Sequence, residues 1–168
     1  MTSTTDLFRS MRRSRQQLSE SDSIAILSQA TSGVLSLIGD GGYPYGVPMS
    51  FVFRDGHLYL HASLKGHKID AIKACEKACF TIIAHDEIHG EAFTTYFRSV
   101  ICFGRIRILS DELQKHDAIR WLSAKYSQES TEAMEREIAK CGRAMCVLDF
   151  TIEHLTGKEA IELTRQRE

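Results

Sequence analysis

The sequence predicts a mainly β domain, a closed antiparallel barrel with helical decoration. Three observations carry that expectation. Five or six short runs have strand character, clearest where Tyr45, Val47, Met49, Phe51 and Phe53 alternate with Gly46, Pro48, Ser50 and Val52. Gly-containing turn signals separate such runs, among them Asp40-Gly41-Gly42 and Asp55-Gly56. Helical patterns are inserted between them, which suits a closed sheet with helices around it.

Taken in order, residues 1–20 form an N-terminal arm in which Arg9, Arg12, Arg13 and Arg15 stand among Ser, Thr and Gln. The arm is either mobile or folded against the body or a partner subunit. Residues 21–168 are expected to be a single domain. A helix is expected from Ser21, with Ser21 or Asp22 as N-cap and Ile24, Leu27 and Ala30 near one face, ending at Gly33. Val34 to Ile38 form a first strand, and the strand through Tyr45 to Phe53 follows the 40–42 turn. His57 to Ala62 return from Asp55-Gly56 as its hairpin partner. Ile69 to Cys75 make a short helix and Ala78 to Ala84 a buried strand.

The segment HDEIHGEAFTTYFR (85–98) has no clear period and reads as a polar loop near the mouth of a site. Ser99 to Leu109 form a long strand, with Gly104 a bulge or a point of close approach. A long helix begins at Asp111, with Leu113, Ile119, Leu122 and Tyr126 as candidates to face a core and Trp121 in packing. Residues 127–131 interrupt it before a second helix over Ala133 to Lys140. Cys146 to Glu153 give the last strand, and the charged tail from Thr156 is expected to fold only against something else.

Composition narrows the function classes. A chain of 168 residues is one domain with room for a proper core. A net charge of −1 and a pI near 6.7 give no electrostatic case for nucleic acid. No apolar run approaches the roughly 18 residues of a membrane span. The N-terminus lacks a signal peptide's apolar centre, so a cytoplasmic protein is expected. Five cysteines without a C-x-x-C read as buried thiols. His85 and His89, four apart among Asp86, Glu87 and Glu91, lack the HExxH order, and Gly90 argues against a helix there, so no metal is expected.

The chemistry concentrates between Tyr43 and Lys73. Lys65, Gly66, His67 and Lys68 immediately precede the helical spacing of Ile69, Ala71 and Ile72. Free amide N–H groups and the helix dipole favour an anion at such a place, although a solvated turn with two ordinary lysines has the same sequence. Pro48 favours a site. It has no N–H for a ladder, so it belongs on an edge strand or at a bulge, and an edge strand leaves backbone groups free to meet a flat heteroaromatic ligand carrying a phosphate.

These residues resemble a known family. GYPYGVPMSFVFRDGHLYLHASLKGHKIDAI is similar to the FMN-binding split barrels of the pyridoxamine 5'-phosphate oxidase-like superfamily, and within it to the nitroimidazole-reductase-like (Nim) group. MRRSRQQL, FTTYFRSVICFGRIRIL and IEHLTGKEAIEL extend the resemblance along most of the chain. It implies a split β-barrel of antiparallel Greek-key type, and a homodimer with one FMN in each of two clefts between subunits. It places the flavin against the strand Tyr45 to Ser50, with Val47, Pro48, Met49 and Ser50 as contacts, and against Leu60 and His61 opposite. His67 and Lys68 match a basic pair at the phosphate, with Lys65 in the same cationic loop as a further candidate, and Ser99 falls where the superfamily often has a Gln touching the ring.

The departures bear on the substrate. The pyridoxamine-phosphate oxidases carry arginine and lysine where this chain has Tyr45 and Ser50, and Arg-Lys where it has His67-Lys68. Their C-terminal Trp and Arg/His substrate motif is absent, which disfavours oxidation of pyridoxamine phosphate. A flavin carries the electrons itself, consistent with the lack of a nucleophile–base pair or paired carboxylates. The leading expectation is therefore an FMN-dependent reductase of small electron-poor substrates such as nitro compounds or quinones, with His61 as the residue meeting substrate. A neutral imidazole hydrogen-bonded beside the phosphate is an equal reading of His61. The alternatives are a non-catalytic flavin carrier or sensor, and a split barrel holding haem, with His85 or His89 as axial ligand, or a deazaflavin.

Overall fold

The computed structural model describes residues 7–127, 129–141 and 145–167. Seven strands form one antiparallel sheet: β1 (Ser32–Ile38), β2 (Pro44–Ser50), β3 (Val52–Arg54), β4 (His57–Ser63), β5 (Lys77–His89), β6 (Thr94–Ile108) and β7 (Met145–Glu159). Their order is β2-β1-β5-β6-β7-β4-β3. Five helices decorate it: α1 (Glu20–Gln29), α2 (His67–Ala74), α3 (Glu112–Tyr126), α4 (Thr131–Cys141) and α5 (Ile161–Arg167).

The expected closure is not made by a hydrogen-bonded ladder. The two edges of the sheet, β2 and β3, are consecutive in the chain and separated only by Phe51. What reads as one strand from Tyr45 to Phe53 thus breaks at Phe51, pairing with β1 before the break and with β4 after it. Phe51 has no exposed surface and meets Phe80 edge to face at 5.0 Å. Around that pair lie Leu35, Leu58, Leu60, Ile82, Val100 and Phe150, the inward positions of their strands. Pro48 lies on an edge strand, as its missing N–H requires. Asp55 and Gly56 both have positive φ, at 48° and 82°, which makes their hairpin turn of the I′ kind.

Several boundaries differ from expectation. The cap of α1 is Ser19, whose hydroxyl accepts from Asp22 N–H at 3.0 Å. Gly33 does not end that helix but lies in β1, where a Cβ would collide with the Phe80 ring. The supposed polar loop 85–98 is a β-hairpin arm: β5 continues to His89 and β6 starts at Thr94. A bulge at Ala84, between Ile83↔Ser99 and His85↔Arg98, marks where the arm leaves the barrel. Gly104 is the expected point of close approach, since a Cβ there would meet Thr151 O, and Glu153 of β7 is the extra residue opposite it.

The tail from Thr156 does not wait for an outside partner. It completes β7 and then forms α5. Of the N-terminal arm, residues 1–6 lie outside the described residues. Further along it, Gln16 and Leu18 are buried and the Leu18 N–H donates to Gly157 O at 2.9 Å. On α3, Leu122 is buried, but Leu113 is 78% exposed and faces no core. Trp121 tilts onto Tyr59 at 5.2 Å, and α3 covers the outer face of β4 and β7 around Val147 and Ala118. Cys102 and Cys146 are buried, Cys75 and Cys79 half-buried.

Candidate functional site

The candidate site is built where β4 runs out into the 64–66 loop and α2 begins. Gly66 is the N-cap of α2, with φ 118° and ψ 170°, a conformation that side-chain-bearing residues rarely adopt. Nothing lies within 4 Å of where its Cβ would be, so a ligand has open approach to the backbone. Gly66 O accepts from the N–H groups of Ile69 and Asp70 at 2.8 and 3.1 Å. The first amides, those of His67 and Lys68, have no intrahelical acceptor by the geometry of a helix start.

Cations flank this start. Lys65 is exposed, Lys68 half-buried, and neither pairs with a carboxylate among the described residues. Burial pushes the Cys146 thiol up, opposed first by a backbone hydrogen bond and then by the charges of Lys68, Lys115 and Lys73. Helix-start amides without an intrahelical acceptor, a glycine that leaves the backbone bare and the flanking Lys65 and Lys68 make a donor set suited to a phosphate.

His67 is committed elsewhere. Its ring stacks on Tyr45 at 4.1 Å, and its Nε2 accepts from Asp40 N–H at 3.2 Å. The imidazole thus ties α2 to the β1–β2 turn, a direction of the side chain that spacing alone does not give.

On β2 the side chains of Val47 and Met49 pack into the core, so this strand offers a ligand its backbone together with Pro48 and Ser50, both exposed. Leu60 is wholly buried, whereas His61 is exposed on the outer side of β4, opposite Val147 and four residues before Lys65. Lys65, His67 and Lys68 thus stand together at the start of α2, with Tyr45 joined to them through its stack on His67, while His61 lies further back on the outer side of β4. Ser99 stands apart. It lies on β6 between Ile83 and Lys158, with β5 and β1 separating it from β2.

Two residues at the end of β2 escaped sequence reasoning. The Tyr126 hydroxyl accepts from Phe51 N–H at 2.9 Å and lies 2.6 Å from Phe51 O and 2.5 Å from Thr31 O, so its single proton serves two carbonyls. Burial pushes its pKa up, while bonds to Phe51 and Ser50 act the other way. Lys125 donates to Ala30 O at 2.5 Å, sits 4.3 Å from the Phe51 ring centre, and has its pKa lowered by burial. The only signal for them was the helical pattern that put Tyr126 toward a core.

In the arm, His89 stacks on Tyr96 at 3.9 Å and pairs with Glu87 and Glu91, and His85 pairs with Glu87. Among the described residues no group of three or more His, Cys, Asp or Glu is placed to hold a metal ion.

A seven-stranded antiparallel sheet whose two edges are rejoined through a bent strand defines a split barrel. The family model described as pyridoxamine 5'-phosphate oxidase matches residues 19–159, and the chain belongs to that family. Among solved structures it is similar to a candidate 5-nitroimidazole antibiotic resistance protein from Bacteroides thetaiotaomicron, at 23% identity over 85% of this chain and 86% of that one, with a TM-score of 0.69. A conserved hypothetical protein from Mycobacterium tuberculosis aligns at 16% identity over 89% and 90%, with a TM-score of 0.78. An FAD-binding protein from Mesorhizobium loti aligns at 24% over 86% and 96%, with a TM-score of 0.62. At these identities the likeness is one of fold. No curated protein matches the chain in sequence.

Proposed function

We propose that the protein is an FMN-binding flavoprotein that reduces small electron-poor substrates such as nitro compounds or quinones. The observation that carries this is the cationic start of α2, where Gly66, two amides without an intrahelical acceptor, Lys65 and Lys68 offer a phosphate site beside the edge strand that bears Pro48. A bound flavin supplies the electron transfer itself. The chain's part is to hold the phosphate at Lys65 and Lys68, to lay the backbone of Val47 to Ser50 along the flavin, and to present His61 to the substrate. His67 acts in this scheme by fixing α2 against Tyr45 and Asp40 rather than by pairing with the phosphate.

The reading includes a homodimer. Val34, Ile38, Ile83 and Phe103 all stand on the outer face of β1, β5 and β6 and are 36%, 51%, 71% and 41% exposed. A second copy covers such a face and brings Ser99 and the arm to the other subunit's flavin. No helix among the described residues is long and apolar enough to cross a membrane.

The test starts with colour. Purified protein is expected to be yellow and to release FMN on heating. In the apo form, Lys68→Ala weakens FMN about 10- to 100-fold through loss of a charge-assisted bond. Riboflavin, which has no phosphate, is hardly affected, and Lys73→Ala, in the last turn of α2, serves as control. His61→Ala slows nitro-substrate turnover while flavin stays bound. Protein that remains colourless with added FMN, or equal losses of FMN and riboflavin at Lys68, would sink the proposal.

A further inference from the structure

The N-terminal segment carries Arg12, Arg13 and Arg15 to a second concavity, of about 400 Å³, which Ser14, Gln16 and Ile161 complete. The segment is held firmly there. A short 3-10 turn over Ser14–Gln16 is closed by the Gln16 and Gln17 N–H groups on the Arg13 and Ser14 carbonyls, each at 3.0 Å, and packs against α5. Gln16 is only 4% exposed, and Gln17 pairs with Lys158 in an isolated bridge. Arg98, Arg105, Arg107, Arg120 and Arg167 are each paired with a carboxylate. Among the described residues, Arg12 and Arg13 meet none.

We propose that this concavity binds the diphosphate of an organic ligand, the group that joins the halves of a dinucleotide. Guanidinium groups are planar forks that match phosphate oxygens two at a time, and two in succession on a fixed turn suit two linked phosphates. A volume of about 400 Å³ falls in the range of small-molecule sites, larger than a bare anion needs, and Ile161 gives an apolar wall for the organic body. The place fits as well. Lys158, bridged to Gln17, lies opposite Ser99 in the β6–β7 ladder, so the concavity adjoins the Ser99 end of the sheet. A flavin dinucleotide and a nicotinamide dinucleotide present the same group. The proposal does not rest on the flavin reading, because it concerns a site separate from the start of α2.

Calorimetric titration of ADP into the full-length protein at low ionic strength tests it, with adenosine as the phosphate-free control. ADP is expected to bind at least about tenfold more tightly than adenosine. Arg12→Ala with Arg13→Ala lowers ADP affinity by about tenfold or more, and Arg12→Lys with Arg13→Lys loses less because the charge stays. Both positions are exposed, so the melting temperature should not move. With FMN in excess to fill the start of α2, Lys73→Ala leaves ADP binding unchanged. FAD and NADP+ then identify the source: a loss for FAD in the arginine variants assigns the site to the cofactor, and a loss for NADP+ to the electron donor. A loss for neither, no binding of ADP, equal binding of adenosine, or a loss that follows Lys73 in place of the arginines overturns the proposal.

Discussion

Cys102 on β6 has no exposed surface, and burial pushes its thiol up to about 12, with the neighbouring Cys79 acting in the same direction. In the unfolded chain such a thiol ionises near 9.0. Below that pH both states hold the proton. Above it the unfolded state gives the proton up first, so stability is lost as pH rises from about 9 toward 12, at about 1.4 kcal/mol per pH unit. The melting temperature of the wild type should therefore fall more steeply above pH 9 than that of Cys102→Ala, and parallel slopes would clear this thiol of any role. Other residues show where reading a sequence stops. Lys68, Gly66 and Pro48 were legible because their types restrict what they can do: a cation, a φ-permissive residue, a residue without an N–H. His67 was not, because an imidazole serves a phosphate and a turn amide equally well, and only the fold brings Asp40 N–H to its Nε2.

Among the elements, strands were legible where one face is buried and the other is not. The inner face repeats an apolar residue every second position, as at Leu35 and Leu37, or Phe80 and Ile82. Past the bulge at Ala84 the arm has no core on either side, so the alternation stops and 85–98 resembles a loop. The start of α1 was misplaced by two residues because Ser19, Ser21 and Asp22 are all acceptable caps. The break at Phe51 was invisible, since a strand that changes partners keeps its period. That break depends on a distant element. The last residue of α3 brings its hydroxyl to Phe51 and Thr31, binding β2 and β3 at their junction and the entry to β1. Tyr126→Phe removes this oxygen and leaves backbone groups at the junction without their partner, at a cost of about 1–3 kcal/mol. Denaturant melts should show that loss, together with faster hydrogen exchange at the Phe51 amide. Leu113→Ala, on the exposed side of the same helix, should change neither. An unchanged midpoint for Tyr126→Phe would mean that packing alone holds the bend.

At the scale of the whole molecule the sheet has two outer faces with different fates. Over β4 and β7, α3 covers Val147 and Tyr59. Over β1, β5 and β6 no helix among the described residues does the same. Phe8 from the N-terminal segment lies 5.6 Å from Phe103 and stacks on His154 at 4.6 Å, but Val34, Ile38 and Ile83 remain exposed. Inward positions of these strands are apolar because the core demands it. Outward ones carry no such demand, so Ile83 at 71% exposure calls for a partner. In the proposed homodimer a second copy related by a twofold axis would meet that need with the same patch on both sides. Light scattering on the wild type should give twice the 19.0 kDa chain mass. Ile83→Lys should shift the protein toward the single-chain mass. Because the side chain is exposed within one chain, the barrel core is untouched and the variant should keep its circular dichroism spectrum. If the flavin sits between subunits, the same variant should lose flavin affinity in step with dimer dissociation, and dilution of the wild type should release flavin in the same way. A wild type that runs at the single-chain mass with flavin bound would remove the partner from the site, and with it the part assigned to Ser99.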